Sequence, residues 1–133
     1  MNILIGADFV PTNSNVEYFR TKNTSALFGS ELAAVLSGAD FRIFNLETPL
    51  SDRAEPITKC GPNLTAPTDT VKGYEAVGVG LFTLANNHIL DQGAQGLKST
   101  LETLKNAKID FVGAGENAEE AKKPMFLSVT ARK

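Results

Sequence analysis

The chain has 133 residues, enough for one compact domain built on a single core. Hydrophobic residues make up 42% and charged residues 21%, with 13 basic against 15 acidic side chains. That balance excludes intrinsic disorder and argues against a nucleic-acid partner, which would need a surplus of cations. The single cysteine, Cys60, excludes a disulfide scaffold, and no apolar run reaches the roughly 20 residues of a membrane span. The opening Met1-Asn2-Ile3-Leu4-Ile5-Gly6 lacks the basic-then-apolar order of a signal peptide, so the chain as written reads as cytoplasmic.

Short apolar runs alternate with helix-length amphipathic stretches, which predicts an α/β fold with a mainly parallel sheet and flanking helices. Strands are expected at Ile3–Gly6, Phe41–Asn45, Leu81–Ala85, Phe111–Val112 with its neighbours, and Phe126–Thr130. Pro11 to Thr24, polar and rich in Asn and Thr, reads as a long loop. A helix follows, with Phe28, Leu32, Val35 and Leu36 on one face and Ser37-Gly38 as its stop. Ser51 to Pro67, with Pro56, Pro62 and Pro67, reads as a second long loop, and such loops are often functional. After Thr68-Asp69 a short helix carries Val71, Tyr74 and Val77. A longer one from Ala94 to Ala107 presents Leu97, Leu101 and Leu104, and a last short one covers Ala118 to Lys122 before Pro124.

Polar residues gather where three strands end: Gly6-Ala7-Asp8, Asn45-Leu46-Glu47, and Asn86-Asn87-His88 with Asp91 just beyond. In an open parallel sheet, ligands bind outside the carboxyl ends of the strands. If the strands are neighbours, Asp8, Asn45, Glu47, Asn87, His88 and Asp91 converge. Carboxylate, amide and imidazole groups together suit a divalent cation such as Mn²⁺, Mg²⁺ or Zn²⁺. Each also has an ordinary use. Asp8 can form a turn, Asp91 can cap the next helix, the Asn side chains can bond loop backbone, and His88 can be a structural histidine.

The strings Asn45-Leu46-Glu47-Thr48-Pro49-Leu50 and Leu84-Ala85-Asn86-Asn87-His88-Ile89-Leu90-Asp91-Gln92-Gly93 resemble the signature of the CapA family. These are bacterial capsule or poly-γ-glutamate biosynthesis proteins of the calcineurin-like metallophosphoesterase superfamily. Gly96-Leu97, Thr100-Leu101, Leu104, Val112-Gly113-Ala114-Gly115 and Glu120-Ala121 continue the likeness, which runs from Gly6 to Pro124.

The resemblance implies that residues 1–133 form one domain, the amino-terminal half of a four-layer αββα sandwich. It implies a divalent metal ligated by Asp8, Glu47 and Asn87, with Asn45 and Asn86 supporting the ligands from behind. His88 would act near the substrate, with Asp91 completing the catalytic pair. The implied substrate is a phosphoester or a polyanionic polymer, and relatives are often associated with the cell envelope. Two departures stand out. Val10 occupies the place of a superfamily histidine, and His88 is the only histidine here, whereas a two-metal site needs several. These residues are therefore expected to need a further length of chain to complete the site, and to self-associate through uncovered sheet surface without it.

Other signals are weaker. Gly113-Ala114-Gly115-Glu116-Asn117-Ala118 matches a dinucleotide-binding G-x-G-x-x-A, but Glu116 would face the pyrophosphate, and a tight turn explains the glycines better. Lys59, with Arg42 or Arg53, could meet an anionic substrate, although a solvated loop lysine is the commoner case. Cys60 lacks an evident activating base. A non-catalytic role, with the cleft binding metal or polymer in an assembly or export complex, is the alternative to hydrolysis.

Overall fold

The computed structural model describes residues 1–127. Its sheet has four parallel strands in the order β1-β2-β3-β4: β1 (Ile3–Asp8), β2 (Phe41–Asn45), β3 (Leu81–Thr83) and β4 (Asp110–Val112). Between them run α1 (Val16–Arg20), α2 (Thr24–Ser37), α3 (Val71–Val77, preceded by a 3₁₀ turn at Thr68–Thr70) and α4 (Gly93–Asn106), and α5 (Ala118–Ala121) follows β4. The fold is α/β, as the alternation of patterns predicts.

When parallel neighbours follow in chain order and every crossover is right-handed, the connecting helices fall on one side of the sheet. The core agrees. Phe19 of α1, Leu36 of α2, Tyr74 and Val77 of α3, and Leu101 and Leu104 of α4 join Phe82 of β3 in one buried cluster. Leu4 of β1 packs against it, whereas Ile3 and Ile5, which alternate with Leu4, are 48% and 75% exposed. At β1 the other face of the sheet is uncovered, as one half of a sandwich would leave it.

Phe9 is the hub of an aromatic cluster, with ring centroids 5.0 to 5.4 Å from Phe19, Phe28, Phe44 and Tyr74. The buried Tyr74 hydroxyl donates to the Phe9 carbonyl at 3.1 Å, and burial pushes its pKa well above 10.0. The Phe9 amide donates to Asn45 O at 2.9 Å. This packing anchors the chain immediately after Asp8.

Several expectations need correction. The stretch Pro11 to Thr24 is not a continuous loop, because α1 lies inside it and buries Phe19. A helix of five residues is too short to show a repeating apolar face. The expected α2 face is split, because Gly29 adopts φ 70°, ψ 170°, and a left-handed φ of this kind interrupts the helix. Of the face residues beyond Gly29, Leu36 is buried while Leu32 and Val35 are exposed. β1 runs two residues past Gly6, and β3 stops at Thr83 rather than Ala85. Phe126 and Leu127 form no strand, and positions 128–130 of the expected fifth strand lie outside the described residues. Arg42 does not face a substrate, because its guanidinium donates to the carbonyls of Leu36 at 2.6 Å and Gly78 at 3.3 Å. Among the described residues no helix is long and apolar enough to cross a membrane.

Candidate functional site

The carboxyl ends of β1, β2 and β3 lie side by side, with Asp8 in register with Asn45 and Asn45 with Thr83. The pairing slips between Ile5 and Asp8, so three steps along β1 match two along β2. Such a bulge re-aims the side chains beyond it, and here it sets Asp8 beside Asn45. Asn45 Nδ2 donates to Asp8 Oδ1 at 2.7 Å, while Asn45 Oδ1 accepts from Thr83 Oγ1 at 3.1 Å and Asn86 Nδ2 at 3.3 Å.

Asn86 ties this group to the histidine. Its Nδ2 donates to Leu46 O at 2.9 Å, and its Oδ1 accepts from the amides of His88 at 2.9 Å and Ile89 at 3.0 Å. An Asn whose side chain bonds amides two and three residues on forms a tight turn, which here lifts His88 off the end of β3. Glu47 follows the buried Leu46 and precedes the buried Thr48 and Leu50. The Leu50 amide donates to Thr100 Oγ1 of α4 at 2.8 Å, so Glu47 sits on a pinned segment. Its Oε1 lies 3.7 Å from His88 Nε2.

The other ring nitrogen, Nδ1, donates to Asp91 Oδ2 at 2.6 Å. A carboxylate at that distance assigns the proton to Nδ1 and leaves Nε2, facing Glu47, as the working nitrogen. Asp91 has no exposed side-chain surface. Burial alone pushes its carboxyl up, but hydrogen bonds from Lys59, the Leu64 amide and His88 outweigh it and hold the pKa below the ordinary 3.8. The Leu64 amide donates at 2.6 Å, Lys59 Nζ pairs with Oδ1, and Nζ also lies 3.2 Å from His88 Nδ1. Asp91 does not cap α4. The residue before that helix is Gln92, whose side chain makes no capping bond.

The structure thus joins Asp8, Asn45, Asn86 and His88 through one chain of bonds, and Glu47, Asp91 and Lys59 through contacts around the same imidazole. Asn87 is exposed beside them, with no side-chain hydrogen bond among the described residues. Lys59 is neither a solvated loop residue nor a free anion-binding group, since it is committed to Asp91. Gln92 escaped the reading of the sequence. Its Oε1 accepts from the Glu55 amide at 2.8 Å and its Nε2 donates to Leu64 O at 2.9 Å, so it staples the 51–67 loop to the start of α4. The Ile57 amide adds a bond to Asp91 O at 3.0 Å. Neither attachment has a sequence signal, because a lysine or glutamine beside a proline-rich loop has no periodicity to place it.

The donor chemistry suits a hard cation in kind, with the Asp8 carboxylate at the end of β1, the Glu47 carboxylate after β2 and the Asn87 amide after β3. It falls short in number. Among the described residues no group of three His, Cys, Asp or Glu side chains could hold a metal ion. The turn after β4 is also accounted for. Gly113 has φ 87°, a Cβ there would meet Ala85 Cβ at 2.8 Å, and α5 is capped by Asn117 Oδ1 on the Glu120 amide at 3.0 Å. The glycines serve a tight turn, and Glu120 Oε2 accepts from the Glu116 amide at 3.0 Å where a phosphate would have to sit.

A family model of bacterial capsule synthesis proteins, PGA_cap, matches residues 3–133. The chain belongs to this family. It is 37% identical over 97 residues to the capsule biosynthesis protein CapA of Bacillus anthracis, covering 71% of this chain and 24% of that one. It is 34% identical over 103 residues to a probable polyglutamine synthesis accessory protein of Mycobacterium tuberculosis, covering 77% and 27%. A PGA biosynthesis protein CapA of Bacillus subtilis is 38% identical over 55 residues, 41% of this chain and 14% of that one. The PGA_cap chain described here spans about a quarter of the length of the first two relatives.

Proposed function

We propose that this PGA_cap chain contributes part of a metal-dependent, phosphoesterase-like hydrolase site in capsule or poly-γ-glutamate biosynthesis. The substrate would be a phosphoester or a polyanionic, amide-linked glutamate polymer. The observation that carries the reading is the histidine pair: buried Asp91 holds Nδ1 of His88 while Nε2 faces Glu47 at the strand ends. Asp91 orients the imidazole through Nδ1. When protonated, Nε2 donates to charge developing on a leaving oxygen, and when neutral it accepts a proton.

Asp8, Glu47 and Asn87 would hold a divalent cation, Mn²⁺, Mg²⁺ or Zn²⁺, with further donors from the remainder of a longer polypeptide. Such a cation, when bound, supplies Lewis-acid polarisation of the scissile group. Asn45 keeps one Asp8 oxygen occupied and leaves the other available, and Asn86 fixes the turn that presents Asn87 and His88.

The test is elemental analysis and phosphoester turnover of the full-length protein. Asp8→Ala and Glu47→Ala are expected to lower metal content, and His88→Ala to reduce turnover with metal retained. Unchanged metal content in both carboxylate variants removes the assignment. A second reading is a non-catalytic metal- or polymer-binding component of an assembly complex, in which the same strand-end groups bind without turnover. Metal binding without hydrolysis of either substrate class would select it.

A further inference from the structure

A cleft of about 360 Å³ lies between the segment after β1 and the end of the 51–67 loop, within the size range of small-molecule sites. The chain itself joins it to the proposed site. Val10 in its wall is two residues past Asp8, Thr48 follows Glu47, and the Leu64 amide is bonded to Asp91. Two exposed polar side chains line it, Asn13 from the β1 side and Thr65 from the loop, and neither makes a side-chain hydrogen bond among the described residues. Both stand on pinned backbone. Thr12 O accepts from the amides of Asn15 at 3.0 Å and Val16 at 2.9 Å, and the Thr12 amide donates to Asn15 Oδ1 at 2.6 Å, which closes the turn carrying Asn13. Thr65 lies between Leu64, held by Asp91, and Ala66, whose amide donates to Pro49 O at 3.0 Å. A ligand meeting these two side chains would not have to order the backbone that carries them.

Among the described residues no lining side chain is charged, so a carboxylate or an ammonium entering the cleft would lose water and gain no counter-ion. None is aromatic, so a nucleobase has no ring to stack on. The Asn13 amide and the Thr65 hydroxyl can each donate and accept, as a ligand hydroxyl can, and Val10, Leu64 and Pro67 offer carbon surface to a C–H skeleton. An uncharged, hydroxylated carbon skeleton matches all of these features.

We propose that this cleft is a subsite for the sugar of a sugar phosphate, with Asn13 and Thr65 bonding its hydroxyls and the phosphoester directed toward His88. This rests on the phosphoester reading above and narrows it: the group carrying the phosphate is an uncharged sugar and not a polyanion.

The experiment measures, by calorimetry on the full-length protein, binding of glucose and galactose 1-phosphates, the matching uronic acid 1-phosphates and butyl phosphate. The uronic acids add a carboxylate to the same ring, and butyl phosphate keeps the phosphate without hydroxyls. At least one hexose phosphate is expected to bind about tenfold more tightly than butyl phosphate and than its own uronic acid. Asn13→Leu and Thr65→Val should each weaken that hexose phosphate about fivefold, the effect of one hydrogen bond, and leave butyl phosphate unchanged. Thr65→Ser, which keeps the hydroxyl, should bind like wild type. If the protein hydrolyses phosphoesters but holds butyl phosphate as tightly as both hexose phosphates, the subsite is overturned while the hydrolase reading stands. Variants that match wild type, or that weaken butyl phosphate equally, also overturn it. If the expected pattern appears without turnover of any ester, the hydrolase reading falls and the subsite stands. If no phosphate ester binds, both fall.

Discussion

Asp91→Asn is the substitution that most directly probes how the site is held. The carboxylate accepts from three donors at once: Lys59 Nζ, His88 Nδ1 and the Leu64 amide. An amide of the same shape has one acceptor atom, so its NH₂ must face at least one of those donors. Lys59 also loses its counter-ion in a place where it is only 18% exposed. Breaking one partner of a buried pair costs about 3–5 kcal/mol, and the residual exposure of Lys59 puts the expected value near the lower end, about 3 kcal/mol. Urea unfolding of the full-length protein, followed by circular dichroism, reads this as a lower midpoint at unchanged slope. The partner experiment is the double variant Lys59→Met with Asp91→Leu, which removes both charges and should recover only the part of the loss owed to the unpaired ammonium, since the Leu64 amide and His88 Nδ1 stay without their acceptor. A cost below about 1 kcal/mol for Asp91→Asn, or no coupling between the two positions, refutes the claim that this ion pair anchors the loop.

Three further outcomes follow from the same geometry. Because the Asp91 carboxyl titrates below its ordinary 3.8, its contribution is fully present above that value and is lost as pH falls through the lower folded value. The 51–67 loop should therefore gain hydrogen exchange only below about pH 4, and the Lys59→Met, Asp91→Leu variant should lack that acid step. Thr100→Val leaves the Leu50 amide without its acceptor in a buried position, at an expected cost of about 1–3 kcal/mol in thermal or urea unfolding, whereas Thr100→Ser should be near neutral. The polypeptide 1–133 prepared alone should self-associate through the exposed β1 face, and Ile5→Lys should shift it toward monomer in sedimentation. A monomer before the substitution counts against that interface.

Much of the fold could be read from the sequence because buried parallel strands and one-sided helices leave strong patterns. Phe41 to Asn45 is a short apolar run in a chain that otherwise alternates with amphipathic stretches, and α4 repeats Leu97, Leu101 and Leu104 along one side. The errors fall where a single residue overrides a pattern. Gly29 interrupts α2 through its own backbone angles, and periodicity presumes an unbroken helix. α1 buries Phe19 in one and a half turns, less than a period-based reading can register.

The strand-end residues were legible for a topological reason: chain order equals sheet order, so consecutive strands are neighbours and their carboxyl ends share an edge. Asp8, Asn45, Glu47, Asn87 and His88 follow from strand-end position once the strands are taken as neighbours. What surrounds His88 does not. Lys59 comes from a segment with no regular structure, and only the folded loop reveals that its ammonium reaches Asp91 across 32 residues of sequence. For Asp91 the sequence leaves capping a helix and ligation at the strand-end site as alternatives, and its carboxylate does neither among the described residues: it accepts from Lys59, the Leu64 amide and His88. A carboxylate that capped α4 would be exposed and bonded to its amides. Here it is buried, turned away from the helix, and shared between an imidazole and the loop that closes over it. Orientation of His88 and attachment of the loop therefore depend on one side chain, so a substitution at Asp91 should disturb both together, and one at Gln92 should loosen the loop while leaving the His88 ring in place.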